Sequence, residues 1–443
     1  MEFFKADIAI DAGYILRLDE SKTQIEDGTI LIKDHDFLYV GPRLSREQYD
    51  ATEYIDGKTS VVLPPFYNQH THPSLSLYRG LGVDMSLQDW LQKVIWPLEK
   101  EFCDPEMVYL GSQLSILEMI RSGTGAVATM DFHTKAVGKA FEEAGLRAYI
   151  GEALFSSPTQ SCQTPEDGYN YIESLLEEYY DSDLIHIYMA IHAPFTSTPE
   201  LFRETSKRAK EWGIISTSHI AETKKEVDWS LKTYGKTPVQ LIESTGILET
   251  DFILVHGVHL TDSDIKILKD NQIPVIHNPH SNMVLGSGVC RVPSLLEQNM
   301  EIGLGTDSAA SNNNLSMMRE MQTLAKLHKV IHKDASLIPA PQALRMATTN
   351  GYRIYRHQRM GQITEGYKAD LQIIDLTGMH NIPTYDIIST LVYSAHSDDV
   401  TGLIVNGRIL MKDRNVLCLD EEKILNDCRK KGVEIADFML ERS

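Results

Sequence analysis

Two histidines one residue apart, His70 and His72, close a short apolar run, Val61-Val62-Leu63-Pro64-Pro65-Phe66-Tyr67. In an extended strand, residues i and i+2 point to the same face. Two imidazoles on one face make a clamp for a divalent metal. Further along the chain, His192 follows Ala190-Ile191, His219 opens His219-Ile220-Ala221-Glu222, His256 follows Val255, and Asp307 closes Gly305-Thr306-Asp307. Neutral imidazoles with a carboxylate suit zinc or a neighbouring first-row ion. Three histidines and one aspartate leave space for a water, whose pKa such an ion lowers toward about 7. Glu222 lies three residues after His219, near such a centre without ligating it, as a general acid/base must be. His256 is placed to steer the water or polarise the group under attack.

These residues need a frame that gathers them. The middle of the chain alternates strand and helix patterns, which predicts a parallel sheet. Apolar strand candidates are residues 61–66, 126–130, 147–154, 185–191, 214–218, 252–255, 274–276 and 302–304. Helical patterns at 106–121, 165–180, 199–212, 238–244, 261–270 and 293–299 separate them, several opened by Thr-Pro or Thr-x-x-Asp start signals. Eight strands with intervening helices predict a distorted (β/α)8 barrel of the TIM type; strand counting alone leaves a doubly wound sheet open. The carboxyl ends of barrel strands face the active site, so His70, His72, His192, His219, Glu222, His256 and Asp307 would share one mouth. Both ends of the chain read instead as short strands, with turn signals at Asp27-Gly28, Asp56-Gly57, Glu365-Gly366 and Asn406-Gly407. Residues 1–60 plus 360–443 are therefore expected to build one small β domain, leaving 61–359 as the catalytic barrel.

Composition excludes several functions. The 443 residues carry a formal net charge of −20, without the basic footprint that nucleic acid or an anionic membrane requires. The five cysteines (Cys103, Cys162, Cys290, Cys418 and Cys428) are odd in number and form no C-x-x-C pair, which points to a reducing compartment. The first residues show no secretory leader, and no run reaches the ~18 apolar residues of a membrane span. A cytoplasmic protein is expected.

The motifs resemble the aminohydrolase branch of the amidohydrolase superfamily, and within it the 5′-methylthioadenosine/S-adenosylhomocysteine deaminase family. The resemblance is carried by Asn68-Gln69-His70-Thr71-His72, Arg79-Gly80-Leu81, Trp96-Pro97-Leu98-Glu99, the stretch 219–226 (HIAETKKE), 234–238 (YGKTP), 277–282 (HNPHSN) and 303–312 (GLGTDSAASN), and it covers nearly the whole chain. It implies the barrel, a β-sandwich built from both termini and a homo-oligomer. It implies one divalent metal per chain, Zn2+ with Fe2+ or Mn2+ as alternatives, on His70, His72, His219 and Asp307. Glu222 then matches the residue that carries a proton to a purine ring nitrogen, His256 the one that orients the water, and Asp307 also the one that helps move a proton to departing ammonia. Glu99 matches a carboxylate on the ribose hydroxyls, and His192 a contact to the purine. Trp96 and Trp90 read either as a lid wall over an aromatic base, which would make Trp96 a substrate contact, or as loop core. The implied reaction is hydrolytic deamination of a small N-heterocyclic amine, an adenosine-type nucleoside (adenosine, 5′-deoxyadenosine, methylthioadenosine or S-adenosylhomocysteine), to the inosine analogue. Deamination or dechlorination of another heterocycle (guanine, cytosine, pterin or triazine) is the alternative, and a barrel scaffold without chemistry a remote one.

Some positions depart from the family pattern. Glu152 stands where members that deaminate S-adenosylhomocysteine often have an arginine, and an acid facing the substrate would repel its carboxylate. Pro65 and Ser308 replace frequent glycines. His280 is unusual in its motif, His133 is within reach of the mouth, and His259 and His277 read as supporting residues.

Overall fold

Residues 3–442 are described by the computed structural model. The first four strands are β1 (Phe4–Leu16), β2 (Gln24–Lys33), β3 (Asp36–Pro42) and β4 (Tyr49–Leu63). Pro64 and Pro65 then interrupt the apolar run, since neither has an N–H to give to a ladder. The run expected as one barrel strand at 61–66 is thus split. Its first half ends β4; its second half begins β5 (Phe66–Thr71), the strand that carries His70.

Seven further stations complete a nearly closed barrel: β6 (Thr124–Asp131), β7 (Arg147–Leu154), β8 (Ile185–Ile187) with β9 (Met189–Ile191), β10 (Ser216–Ile220), β11 (Phe252–His256), β12 (Val275–His277) and β13 (Ile302–Leu304). Neighbouring strands pair in parallel in chain order, apart from the short β8, which pairs with β7. Every residue of β5, β6, β10 and β11 is buried, as expected of strands covered on both faces. The expected strand at 185–191 is broken at Tyr188, whose hydroxyl donates to the carbonyl of Thr129 inside the barrel.

The barrel closes between its first and last strands through side chains and single contacts rather than a full ladder. Asn68 accepts the N–H of Thr306 at 3.0 Å and donates to its hydroxyl at 2.7 Å. A Cβ on Gly305 would sit 2.7 Å from both the N and the O of His70, so only glycine permits this approach.

The helix starts follow their sequence signals. Thr164, Thr198, Thr237 and Thr261 each cap a helix by accepting an N–H three residues on, and proline follows the first three caps. An unanticipated helix, Glu421–Arg442, ends the described chain and packs Ile424 and Cys428 against Leu117. No helix among the described residues is long and apolar enough to cross a membrane.

Strands β14 (Leu371–Asp375), β15 (Val400–Val405), β16 (Arg408–Lys412) and β17 (Asn415–Val416) join the N-terminal four in one eight-stranded sheet, ordered β17-β16-β15-β14-β4-β1-β2-β3. Both termini therefore build it, with only β1 and β4 pairing in parallel. Asn406-Gly407 makes the expected tight hairpin between β15 and β16, both residues having positive φ. Asp27-Gly28 and Asp56-Gly57 do not turn; each pair lies within a long strand. At Gly28 the space of a side chain is filled by Ile15 Cδ1, 2.5 Å from where a Cβ would be. Arg147 ties the sheet to the barrel: buried in β7, it holds both oxygens of buried Asp370, at 2.7 and 3.0 Å.

Candidate active site

The carboxyl ends of the barrel strands bring the predicted polar residues to one cavity. His72, Glu99, His192, His219, Glu222, His256 and Asp307 all line it, and His70 lies directly beneath, its ring 4.8 Å from that of His219 and 4.9 Å from that of His72. The turns that deliver these groups are strained. Ala221, His256 and Asp307 have φ of +55°, +74° and +58°, a region that side-chain-bearing residues enter at a cost of order 1 kcal/mol or more. At Ala221 the strain is held by Glu226, whose carboxylate accepts the N–H groups of Ala221 and Glu222 at 2.8 and 2.9 Å.

His70, His72 and His219 offer donor atoms that all lie within 4.8 Å of one another. The Nδ1–H of His219 is committed to the carbonyl of His192, at 2.6 Å, and that of His72 to the carbonyl of Met130. Both rings therefore turn a bare Nε2 inward, as metal-ligating imidazoles do. The Nε2 atoms of His219 and His70 are 3.0 Å apart, and Asp307 Oδ1 is 3.3 Å from His72 Nε2 and 3.6 Å from His70 Nε2. Donors on a tetrahedral zinc stand about 3.3 Å apart, so this set fits a divalent cation. The other oxygen of Asp307 is fixed by two hydroxyls the sequence did not single out, Ser281 at 2.6 Å and Ser311 at 2.9 Å.

Glu222 faces the same space. Its Oε2 lies 3.6 Å from His256 Nε2, and Ser287 donates to its Oε1 at 3.2 Å. Burial pushes its carboxyl well above the usual range; Asp307 and Glu226 add to this and the Ser287 hydroxyl opposes it. His256 is neutral, its pKa lowered to about 3 chiefly by burial. The amides of Asn278 and Asn282 present nitrogens to its Nδ1, at 3.3 and 3.1 Å, which leaves the ring proton on Nε2, toward Glu222.

Glu99 and Trp96 come from the helix Trp96–Phe102 over the barrel mouth. Trp90, Leu91 and Ile95, from the helical turns just before it, also line the cavity. Between Leu91 and Ile95 the backbone widens into a π-helical turn, a feature with no sequence signal. The Glu99 carboxylate meets no protein donor among the described residues, and burial raises its pKa to about 8, His72 opposing and Asp131 adding. His192 stacks on Phe155, centroids 4.4 Å apart, and its Nδ1 lies 2.8 Å from the Thr196 hydroxyl. Asp131, which the sequence did not single out, also lines the cavity and holds the N–H and hydroxyl of Ser74 on one oxygen.

The departures resolve differently. Glu152 does not face the substrate space: it is fully buried, absent from the cavity wall, and its two oxygens accept the Ser161 hydroxyl and the Thr134 N–H. Strand alternation explains this, since its neighbour Ala153 takes the inward position. The charge repulsion expected there does not arise. His133 stays outside the cavity as the residue preceding the helix Thr134–Ala144. His259 supports the site at one remove, its Nε2 2.7 Å from the carbonyl of Ser287. His280 is bound by buried Glu320 at 2.7 Å, away from the cavity wall. His277 is buried, with neither ring nitrogen on a protein partner among the described residues. Ser308 lines the cavity, and its hydroxyl donates to Ser311.

A barrel of this topology brings imidazoles from its first and fifth strands and a carboxylate after its last to one site, the arrangement of a hydrolase with room for a divalent cation. The model of the amidohydrolase family matches residues 61–410, and the chain belongs to that family. It is 40% identical over 401 residues to the 5-methylthioadenosine/S-adenosylhomocysteine deaminase of Aquifex aeolicus, covering 90% of this chain and 92% of the relative. It is 37% identical over 437 residues to a similarly named enzyme of Syntrophus aciditrophicus, covering 98% and 99%. Among solved structures, an adenosine deaminase from Xanthomonas campestris with bound zinc superimposes with a TM-score of 0.95 at 29% identity, covering 98% of this chain and all of that one.

Proposed function

We propose that this chain is a hydrolase acting on C–N bonds that releases ammonia from adenosine-type nucleosides and leaves the inosine analogue. The observation that carries the reading is Glu222, a buried carboxyl 3.6 Å from neutral His256, opening on the cavity that three converging imidazoles and Asp307 also face. His70, His72, His219 and Asp307 would hold one divalent cation, zinc by preference with iron or manganese accepted by the same donors. When bound, such an ion supplies the Lewis acidity that lets water act as a nucleophile at neutral pH. Glu222 takes a proton from the attacking water and delivers it to a ring nitrogen of the purine. His256, protonated on Nε2, donates a hydrogen bond that orients the water and steadies developing negative charge. Asp307, fixed by Ser281 and Ser311, moves the proton that ammonia needs in order to leave. Glu99, lacking a protein donor, accepts the ribose hydroxyls; His192 contacts the purine, and Trp96 walls the ring in.

The reading makes residues 61–359 the catalytic barrel, apart from the 61–63 end of β4 that pairs with β14 in the sheet, and 1–60 plus 360–443 the supporting β domain. It places a homo-oligomer in the cytoplasm; the five cysteines are free thiols, in keeping with a reducing compartment.

The test is an ammonia-release screen of the metal-loaded protein over adenine nucleosides, guanine, cytosine, pterins and triazines. Release from the nucleosides alone supports the reading. Release only from a free base, a pterin or a triazine overturns it.

A further inference from the structure

Carboxyl groups and imidazoles supply all the ionisable side chains around the cavity. Glu99, Asp131, Glu222 and Asp307 line it, and among the described residues no lysine or arginine does. His72, His192, His219 and His256 line it too, and most of the remaining wall is apolar. Leu87, Trp90, Leu91 and Ile95 close it from the lid, and Phe132 and Phe155 from the barrel. Among the described residues, Asp131 keeps one buried oxygen without a hydrogen bond, and Glu99 meets no protein donor. Glu152 points elsewhere, so it neither attracts nor repels a ligand.

We infer that this cavity selects nucleosides whose 5′ substituent is uncharged and apolar, such as a short alkylthio group or a bare methyl, and rejects those ending in a carboxylate or a phosphate. The inference rests on the deaminase reading and narrows it. With the purine amine at Glu222 and Asp307 and the sugar hydroxyls on Glu99, the remainder of the ligand meets the lid and the phenylalanines. An apolar arm there gains burial against Leu87, Trp90 and Phe155. A carboxylate there finds no lysine or arginine to pair with, meets the carboxyl groups of Glu99 and Asp131, and loses its water. A hydrogen-bond donor is the only polar group these acids welcome, and the ribose diol already provides it.

The experiment compares four ligands on the metal-loaded enzyme: methylthioadenosine, 5′-butylthioadenosine, S-adenosylhomocysteine and adenosine 5′-monophosphate. The butyl compound matches homocysteine in reach but carries no charge. The expected result is similar kcat/KM for the two alkylthio compounds and a loss of at least about 100-fold for both charged ones. Calorimetric affinities of the same four ligands should follow the same order. Equal use of S-adenosylhomocysteine and methylthioadenosine overturns the inference and leaves the deaminase reading standing. Failure of the butyl compound alongside the charged ones also overturns it, because length rather than charge would then decide. Absence of ammonia from all four overturns the deaminase reading; the calorimetric order then decides the inference by itself, and no binding by any ligand overturns both.

Discussion

The backbone N–H of Asp307 donates to the carbonyl oxygen of His70 across 2.9 Å. Residues 237 apart in the sequence are thereby locked side by side where the barrel closes. The lock depends on Gly305, because a Cβ there would meet His70 N and O at 2.7 Å and Asn278 Oδ1 at 2.5 Å. Gly305→Ala must push the last strand away from the first. We expect a loss of about 1–3 kcal/mol in stability, by urea denaturation, and a marked fall in bound metal, by elemental analysis. A variant with full stability and full metal content would show that the closure tolerates a side chain.

His219 is held by its Nδ1–H on the carbonyl of His192, at 2.6 Å, so its Nε2 is committed to the shared centre. His219→Ala should lose both metal and turnover. Adding zinc at about 100 times its Kd should stabilise the parent protein by about 2.7 kcal/mol and leave the variant unmoved, as read by thermal denaturation. An active, metal-replete variant would remove His219 from the donor set.

Glu222 touches Ser287 and faces His256, and in the proposed reaction it moves protons rather than holding the metal. Glu222→Gln is expected to keep its metal and fold while losing ~10²–10⁴-fold in kcat, the range for a positioned acid/base group. Metal content and turnover measured on the same preparation separate this outcome from unfolding.

These expectations draw on features that differ in how visible they are in the chain. The proposed metal ligands are legible because each sits at the end of an apolar strand, and the Thr caps mark the helices between them. Ser281, Ser311 and Glu226 are not, because their work is to hold Asp307 and the Ala221–Glu222 turn from neighbouring elements, and hydroxyls and acids are common in loops. The left-handed turns at Ala221, His256 and Asp307 leave no trace either, since nothing but tertiary contact forces alanine, histidine and aspartate there. Asp27-Gly28 misleads because the pairing of β2 with β1 and β3 overrides a local turn preference. Glu152 misleads through its position on β7: a shift of one residue along a strand exchanges cavity for interior.

The buried ion pair between Arg147 and Asp370 makes a separate prediction for the joint between barrel and sheet. Both side chains are nearly inaccessible, and Asp370 also accepts the N–H of Asn406 at 2.7 Å. Asp370→Ala leaves a buried guanidinium without its partner, so a loss of about 3–5 kcal/mol is expected in chemical denaturation. Replacing both residues by apolar ones of similar volume should recover most of it. If the single variant proved as stable as the parent, the joint would owe little to this pair.

Glu152 predicts a pH dependence of stability. Burial raises its pKa to about 7, against the opposing hydrogen bonds from Ser161 and Thr134. Its folded value therefore lies above the ordinary 4.5 of an unfolded chain. Between these values the folded protein binds more protons than the unfolded one, so stability falls as pH rises. This contribution is full below about pH 4.5 and is lost as pH rises through about 7. Glu152→Gln imitates the protonated acid, can still accept the Thr134 N–H, and has no proton to lose. It should flatten the decline between pH 4.5 and 7 by on the order of 3 kcal/mol relative to the parent, measured by urea denaturation across that range. Parallel curves for parent and variant would mean that Glu152 is ionised in the fold throughout, its charge already balanced by the Thr134 N–H and Ser161 hydroxyl.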